Sequence, residues 1–302
     1  MTNEQRMKNI SVPTGKIDVV LDTDAYNEID DQFAIAYLLR AKEKCNTKAI
    51  YAAPFKNSKS TDAGDGMEKS YDEIVKLLQL LEEDVPVFKG STAFMTDEKV
   101  PVISDAARDL AERANAYTPE NPLYVVAIGA ITNVASAIIL NPKVAENTVI
   151  VWLGGHARHV ENTKEFNMRQ DYPAARVVMG CGAPFVQLPC KGVVSAFTVS
   201  GPELEYWFKG KNKVSTYLAE NAIREAETYA KGKAWTRVIW DVTAVAWLLN
   251  EKDVFMNTEV ISTRLPTDEG LYRDKDEEFP MRYVYFIKRD ALLNDMIARI
   301  TK

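Results

Sequence analysis

Four carboxylates follow closely after the first strongly apolar run of the chain. Residues 19–21 are all apolar, Asp22 and Asp24 come at the end of this run, and Asp30 and Asp31 open the helix-like segment that follows. A β-branched apolar run predicts a buried parallel strand, so the four side chains should meet where that strand ends. Their repulsion requires bound protons or a cation, and oxygen-only ligands suit a hard cation such as calcium or magnesium. The sequence therefore predicts a metal site.

Helix capping is the structural alternative for any one of these aspartates. An acidic side chain near a helix N-terminus accepts hydrogen bonds from free backbone amides and complements the helix dipole. Capping uses one side chain, and it gains nothing from Asp22 and Asp24 on the strand. Capping therefore accounts for one or two of the four carboxylates, whereas a metal site accounts for the cluster.

A second strand-to-helix junction offers a neutral ligand. Residues 125–135 show the pattern of a buried strand, a glycine turn at Gly129 and a helix capped by Thr132. Alone, this pattern is typical of an ordinary connection. Beside an acidic cluster, however, the turn leaves a strand-end carbonyl, here that of Ile128, free to bind a cation.

The composition is that of an acidic globular protein. The 302 residues are 46% hydrophobic, with a net charge of −6 and a pI near 5.3. Extended nucleic-acid binding is therefore not expected, whereas a small neutral ligand such as a nucleoside is compatible. Three cysteines without metal-ligand spacing, and the lack of an export signal, predict a cytoplasmic protein. No run approaches the roughly 18 apolar residues that span a bilayer, so no membrane association is expected.

Strand-like and helix-like segments alternate along the first half of the chain. The strand-like segments are residues 16–24, 48–53, 123–130 and 148–155, and the helix-like ones are residues 30–44, 66–83, 104–116 and 132–140. This alternation predicts an α/β fold with an open, mostly parallel, doubly wound sheet and helices on both faces. Ligands of such sheets bind beyond the C-terminal ends of the strands, so Asp22, Asp24 and Gly129 should line one crevice.

The second half of the chain is less regular. The predicted elements are a strand at 185–188, helices at 202–208 and 212–229, a helix from Asp241, a strand at 282–287 and a closing helix from Asp290. Because no linker rich in Pro, Gly or Ser divides the two halves, we expect one domain over residues 1–302.

Four separated motifs of this chain resemble those of the inosine-uridine nucleoside hydrolase family, in the family's order. They are the strand-end aspartates 22–24 and 30–31, the glycine turn 128–133, the ribose-binding triplet Glu165-Phe166-Asn167, and the late calcium aspartate Asp241. The similarity runs over most of residues 16–300.

The resemblance implies a single-domain α/β enzyme that splits the N-glycosidic bond of ribonucleosides, giving ribose and a free base. It also implies a calcium ion at the floor of the site and a homodimer or homotetramer. The implied calcium ligands are Asp24, Asp31, Asp241 and the carbonyl of Ile128. Asp24 would also be the general base for the attacking water. The side chains implied to bind the ribose hydroxyls are Asp30, Glu165 and Asn167.

The chemistry of the residues is consistent with these roles. Departure of the base leaves an oxocarbenium-like sugar, which a pocket of carboxylates stabilises. Calcium can bind the sugar diol and a water, and favours deprotonation of that water. Hydrogen bonds to both hydroxyls of the diol predict a preference for ribose over deoxyribose, because a missing hydroxyl leaves buried polar groups unpaired.

The sequence departs from the family pattern at the turn after the first strand. Residues 25–29 are longer than the short proline-glycine turn common in the family, and Tyr26 and Asn27 could reach the substrate from this insert. A ribose-facing asparagine after the second strand corresponds to Asn57 only with a shifted register. A second family asparagine, ahead of the triplet, corresponds to either His159 or Asn162.

Trp240 stands where broadly specific members of the family have a histidine that can protonate the departing base. A purine-preferring subgroup has tryptophan there and activates the base by stacking, so that solvent can protonate it. Trp240 therefore predicts purine preference, and packing of the indole in the core is its structural alternative.

Three other functions remain open from the sequence. One is hydrolysis of a different N-ribosyl compound by the same fold, and another is a non-catalytic protein that binds calcium or ribose. The third is a magnesium-dependent phosphatase with an aspartyl nucleophile, because Asp22-Thr23-Asp24 after a first strand fits that chemistry. Release of reducing sugar rather than phosphate separates the hydrolase from the phosphatase.

Overall fold

Apolar, largely β-branched segments form the inner strands of a large central sheet. The computed structural model describes residues 1–273 and 279–302. Its strands are β1 (Ile17–Thr23), β2 (Cys45–Ala52), β3 (Val87–Lys89), β4 (Leu123–Ala127), β5 (Thr148–Leu153), β6 (Phe185–Leu188), β7 (Thr198–Ser200), β8 (Thr236–Val238), β9 (Met256–Ser262), β10 (Leu265–Pro266), β11 (Tyr272–Arg273) and β12 (Pro280–Ile287).

Helices connect most of these strands. The α-helices are α1 (Asn3–Asn9), α2 (Asp30–Leu39), α3 (Ala63–Leu81), α4 (Asp105–Arg113), α5 (Thr132–Leu140), α6 (Lys143–Asn147), α7 (Phe166–Gln170), α8 (Tyr172–Gly180), α9 (Gly201–Glu203), α10 (Lys213–Ala230), α11 (Val242–Leu248) and α12 (Arg289–Ile300). Short 3-10 helices occupy Ala114–Ala116, Val194–Ala196 and Glu251–Asp253, and a π-helix occupies Leu204–Phe208. Every helix in the described residues is too short or too polar to cross a bilayer.

The central sheet has the strand order β3-β2-β1-β4-β5-β6-β12-β9. Every neighbouring pair is parallel except β12 and β9, which are antiparallel. This architecture confirms the predicted open, mostly parallel sheet. The strand order reverses direction between β1 and β4, and such a switch point opens a crevice at the C-terminal ends of the strands.

Side chains of β1 alternate between two apolar layers. Val19 and Leu21 pack in the core layer that contains α2, α3 and α11, while Val20 packs in the layer that contains α4, α5 and α8. This alternation is the period of two expected for a strand buried on both faces. It confirms the prediction of helices on both faces of the sheet.

The structure corrects several predicted element bounds. The helix predicted over residues 30–44 ends at Leu39, because the chain turns back and the amide of Cys45 donates to the carbonyl of Ala41 over 2.8 Å to start β2. The strands predicted to end at residues 130 and 155 end at Ala127 and Leu153. Because β4 and β5 end early, the residues that follow them lie in loops at the crevice, where the site is.

Candidate active site

A cavity of about 200 Å³ opens at the C-terminal ends of β1, β4, β5 and β6. Of the predicted cation ligands, the residues that line it are Asp24, Asp31, Ile128 and Asp241. Of the other predicted site residues, those that line it are Asp30, Glu165, Asn167 and Trp240. The fold therefore brings together side chains from the beginning, middle and end of the chain.

Three aspartates form the tightest acidic group in this cavity. One oxygen from each of Asp30, Asp31 and Asp241 lies within 4.8 Å of the others, and all three residues are buried. Asp30 and Asp31 form the first turn of α2, while Asp241 immediately precedes α11, and these two helices pack together. Asp24 lines the same cavity outside this group of three. Its role as a cation ligand stays a prediction.

Helix capping does not account for the group. Neither the start of α2 nor the start of α11 has a side-chain capping hydrogen bond. Within the described part of the chain, both carboxylate oxygens of Asp24 and the Oδ1 atom of Asp30 are buried without a hydrogen-bond partner. Unpaired buried carboxylate oxygens are costly, so these donors fit a hard divalent cation, which takes oxygen ligands only.

Burial and mutual repulsion raise the pKa values of the cluster. The pKa of Asp24 lies well above its usual value because of burial and of the neighbouring Asp31 and Asp30. Burial, together with Asp30, raises the pKa of Asp31 to about 8. The pKa of Asp241 is also raised strongly, by burial and by Asp30 and Asp31. The isolated cluster therefore retains protons near neutral pH, which a bound cation would displace.

Asp22 differs from the other three acids of the first motif. Its Oδ1 atom accepts a hydrogen bond from the amide of Asn133 over 2.8 Å, and the same amide group accepts from the backbone and hydroxyl of Ser91. Asp22 is fully buried and does not line the cavity. Its Oδ1 atom therefore links β1 to the start of α5, while its Oδ2 atom is buried without a hydrogen-bond partner among the described residues. The prediction that Asp22 lines the crevice is wrong, because its side chain lies beneath the cavity-lining residues.

The glycine turn after β4 has room for Asp24. A Cβ atom at Gly129 would lie 3.0 Å from Oδ1 of Asp24, closer than ordinary van der Waals contact. The Gly129 carbonyl accepts from the indole N–H of Trp152 over 3.1 Å. A glycine at this position thus lets the aspartate approach the backbone beside Ile128.

Glu165 is held by three backbone amides. Its Oε1 atom accepts from the amide of Asn167 over 2.8 Å, and its Oε2 atom accepts from those of Gly155 and Met168 over 2.9 Å each. Burial raises the pKa of Glu165, and these hydrogen bonds oppose that shift. The carboxylate is therefore fixed at the N-terminus of α7 and faces the cavity in one orientation.

Three predicted substrate residues do not line the cavity. The amide of Asn57 donates to Oδ1 of Asn27 over 2.6 Å, so it supports a cavity wall from behind. The side chain of Asn162 accepts from the amide of Lys164 over 3.0 Å, and His159 is exposed. Direct contact of Asn57, Asn162 or His159 with ribose stays a prediction that needs loop movement.

Several cavity residues were not singled out from the sequence. Of the insert, Asn27, which the sequence indicated, and Glu28, which it did not, line the cavity, whereas Tyr26 is 43% exposed and does not. His156 and Lys191 also line it, because they follow the ends of β5 and β6. Burial and Lys191 lower the pKa of His156. The unusual length of the insert was the sequence signal for Glu28. His156 and Lys191 had no such signal, because their place in the cavity depends on the strand order of the sheet.

Trp240 and Cys190 line the cavity, and each could have either a functional role or a packing role. Trp240 lines the cavity and also packs partly against the core, so it meets the geometric conditions of both predicted roles. Cys190 lines the cavity as well, and burial and Glu165 raise its pKa well above the usual thiol value. A thiol of this kind is a packing group rather than a nucleophile.

The fold and the site define the class of protein, an α/β protein with a carboxylate-lined pocket at the switch point of a mostly parallel sheet. The family described as inosine-uridine preferring nucleoside hydrolase matches residues 19–279. The chain belongs to this family. It is accordingly an enzyme of the N-ribosyl hydrolase type.

Curated and solved relatives agree with this assignment. Over 263 residues the chain is 26% identical to the non-specific ribonucleoside hydrolase RihC of Salmonella enteritidis PT4 (strain P125109), covering 78% of this chain and 79% of that protein. The plant nucleoside hydrolase PpNRh1 has a TM-score of 0.74 at 20% identity, covering 96% of this chain and 99% of that one. The purine-preferring ribonucleoside hydrolase from Gardnerella vaginalis has a TM-score of 0.73 at 20% identity, covering 94% and 98%. The two solved structures confirm the fold.

Proposed function

We propose that this protein hydrolyses the N-glycosidic bond of ribonucleosides, with purines preferred, and releases ribose and the free base. One observation carries the proposal. Asp24, with both oxygens buried and unpartnered in the described structure, shares a cavity with Asp30, Asp31 and Asp241. An acidic pocket of this kind stabilises positive charge that develops on the sugar as the base departs.

Asp24 is the proposed general base. The attacking water bonds to C1′ of the ribose, the C1′–N bond breaks with its electron pair leaving on the base, and Asp24 accepts the proton of the water. Solvent returns a proton to the departing base. The place of Asp24 in the cavity, with both carboxylate oxygens unpartnered among the described residues, supports this role, since a general base must lie within hydrogen-bond reach of the proton that it accepts.

Calcium is the proposed cofactor, held by Asp24, Asp31, Asp241 and the Ile128 carbonyl. When bound, it would supply positive charge that orients the ribose diol and eases deprotonation of a water. The support is the all-oxygen donor set and the unpaired buried oxygens beside it. The Ile128 carbonyl has two lone pairs, of which the amide of Asn167 uses one.

Asp30, Glu165 and Asn167 are the proposed partners of the ribose hydroxyls. Oε2 of Glu165 accepts from two backbone amides, whereas Oε1 accepts from one and keeps a lone pair for a hydroxyl donor. A deoxyribose would leave one of these buried groups unpaired, so we expect a strong preference for ribonucleosides.

Trp240 is the proposed residue that activates the base by stacking. Its place in the cavity wall, next to Asp241, supports this role. The structurally similar Gardnerella protein is named purine-preferring, whereas the Salmonella relative is named non-specific. The comparison of purine with pyrimidine turnover therefore decides the preference.

The remaining proposals concern the whole chain. We propose that residues 1–302 form one domain of this family. A cytoplasmic location is supported by the odd number of cysteines without metal-ligand spacing, Cys45, Cys181 and Cys190. Assembly into a homodimer or homotetramer stays a prediction from the family resemblance.

Release of reducing sugar tests the proposed function. With calcium present, we expect saturable release from inosine, slower release from uridine, and loss of both on chelation. Asp24→Asn should abolish turnover, while the control Asp18→Asn, at the opposite end of β1, should retain it. Wild-type protein that releases no sugar from any ribonucleoside contradicts the function, and an active Asp24→Asn variant contradicts the role of Asp24.

A further inference from the structure

The insert after β1 forms one wall of the cavity. The amide of Asn27 donates to the carbonyl of Asp24 over 2.7 Å, which closes a tight turn, and the next residue, Glu28, lines the cavity beside it. Asn27 is only 6% exposed, whereas Tyr26 is 43% exposed. The turn therefore directs two polar residues into the cavity wall and leaves the aromatic side chain outside.

Contacts from neighbouring loops fix Asn27. Its Oδ1 atom accepts from the amide of Asn57 over 2.6 Å, and its carbonyl accepts from Nζ of Lys59 over 2.7 Å. Among the described residues, the side-chain nitrogen of Asn27 has no hydrogen-bond partner. The group that Asn27 offers to a ligand is therefore an N–H donor.

An ion pair fixes Glu28. Its Oε2 atom accepts from a terminal nitrogen of Arg237 over 2.7 Å, and the same nitrogen lies 3.3 Å from Glu225. The side chain of Arg237 is 16% exposed and that of Glu28 is 44% exposed, so the ion pair is shielded from solvent on the arginine side only. In the described chain Oε1 of Glu28 has no partner. Burial and Asp30 raise the pKa of Glu28 to about 7, and Arg237 opposes this rise. Above that pH, the group that Glu28 offers to a ligand is therefore a carboxylate acceptor.

Arg237 also connects this wall to Trp240. Arg237 lies in β8, and Trp240 follows that strand by two residues and lines the same cavity. Side chains that serve the ribose, Glu165 and Asn167, come instead from the segment after β5. Because Trp240, Glu28 and Asn27 line one cavity, a base stacked on Trp240 can present its edge to Glu28 and Asn27.

We propose that Glu28 is a specificity-determining residue that accepts a hydrogen bond from an N–H of the leaving base, while the Asn27 amide donates to a neighbouring acceptor. This inference rests on the proposed function. The base edge that matches an acceptor beside a donor is an N–H next to a carbonyl, as at N1 and O6 of a 6-oxopurine. Among the purine ribonucleosides of the proposed function, the substrate class is therefore that of inosine and guanosine.

Two nucleosides isolate this contact without adding bulk. Inosine has the N–H and the carbonyl, whereas purine riboside lacks both and presents a bare ring nitrogen to the carboxylate. A hydrogen bond to a charged group corresponds to roughly 10- to 100-fold in an equilibrium or rate constant. We expect Glu28→Gln to lower the ratio of kcat/KM for inosine over purine riboside by about that factor. Glutamine removes the charged acceptor for inosine, and its amide can donate to the bare nitrogen of purine riboside. The value of kcat/KM should therefore fall for inosine and rise for purine riboside, and both changes lower the ratio.

Glu225→Gln is the matched control. Glu225 is the other carboxylate beside Arg237, and it does not line the cavity. This variant should keep the wild-type selectivity ratio. Glu28→Ala provides a second variant. Competitive inhibition of the wild type by hypoxanthine and by unsubstituted purine provides a measurement that needs no variant. Hypoxanthine should bind on the order of 10-fold more tightly than unsubstituted purine, or better.

The outcomes separate this inference from the proposed function. If the wild type releases ribose from no ribonucleoside, the proposed function is wrong and this inference is wrong with it. If it releases ribose from uridine but from neither purine nucleoside, ribonucleoside hydrolysis stands and this inference is overturned. If the wild type is active but Glu28→Gln and Glu28→Ala keep the wild-type ratio, the function stands and the role of Glu28 is overturned. Equal inhibition by hypoxanthine and purine overturns it in the same way.

Discussion

The side chain of Asn167 donates a hydrogen bond to the carbonyl oxygen of Ile128 over 3.1 Å. The same nitrogen donates to the carbonyl of Leu153 over 3.0 Å, so one amide joins the ends of β4 and β5. Its donors are thereby engaged, and its oxygen remains as the acceptor toward the cavity. This hydrogen bond couples Asn167, a proposed ribose contact, to the Ile128 carbonyl, a proposed cation ligand.

Asn167→Ala should therefore affect both stability and catalysis. Two buried carbonyls lose their donor, and each loss costs about 1–3 kcal/mol at most in the free energy of unfolding. We also expect a fall in kcat/KM for inosine, since the Ile128 carbonyl is no longer held. Urea unfolding and ribose release measure the two effects. The exposed Asn115→Ala variant is the control, and an Asn167→Ala variant equal to it in both assays contradicts this coupling.

The raised pKa values of the aspartates predict how the stability of the metal-free protein depends on pH. Asp31 has a pKa of about 8 against a usual 3.8, and the pKa values of Asp24 and Asp241 are also raised. The folded state therefore binds more protons than the unfolded state between these values, and the free energy of unfolding falls as pH rises from about 4 to about 8.

Urea unfolding at pH 5.5 and pH 8 with a chelator measures this dependence. Calcium should raise the unfolding midpoint more at pH 8, because fewer protons have to be displaced from the ligands. A metal-free protein that becomes more stable from pH 5.5 to pH 8 contradicts the raised pKa values.

Asp24→Asn should stabilise the metal-free protein while it removes activity. The amide is of the same size and carries no charge, so it relieves repulsion with Asp30 and Asp31. Turnover of inosine should fall roughly 10²- to 10⁴-fold, as for loss of a general base. Thermal unfolding with a chelator and ribose release with calcium test both parts. An Asp24→Asn variant that is less stable than the wild type without metal contradicts the electrostatic part.

Trp240→Ala should lower turnover of inosine more than it weakens binding of ribose. Loss of stacking on a base lowers a rate constant roughly 10- to 100-fold, whereas the proposed ribose contacts lie on other residues. Trp240→Phe should recover part of the activity, and Trp207→Ala, at a 45% exposed indole away from the cavity, is the control. Steady-state kinetics with inosine and inhibition by ribose measure the difference. Unchanged turnover would assign the indole to packing.

Much of the fold could be predicted from the sequence, because the inner strands are continuous apolar runs. The helix at Thr132–Leu140 was predicted with the same bounds, and β1, β4 and β5 were predicted within a few residues. The edge strands β3 and β9 were not predicted. Strand β3 has only three residues, and β9 is mostly half-exposed, so neither has the apolar run that marks a buried strand.

The centre of the site could also be predicted from the sequence, because its aspartates lie where apolar strands give way to helices. Asp30 and Asp241 lie at the starts of two helices that follow strands, and the structure places their oxygens within 4.8 Å. The periphery was not accessible. Glu28 lines the cavity because Arg237 holds it, and that contact joins residues 209 positions apart. Likewise Asn57 faces Asn27 instead of the cavity, which depends on loop conformation.

The most direct test of the cation and ribose site is a crystal structure of the protein grown with millimolar calcium and soaked with a ribose-like inhibitor. We predict one cation bound by Asp24, Asp31, Asp241 and the Ile128 carbonyl, with the sugar diol resting on it. Electron density without a cation among these residues, or with Asp241 remote from Asp24, would contradict the proposed site.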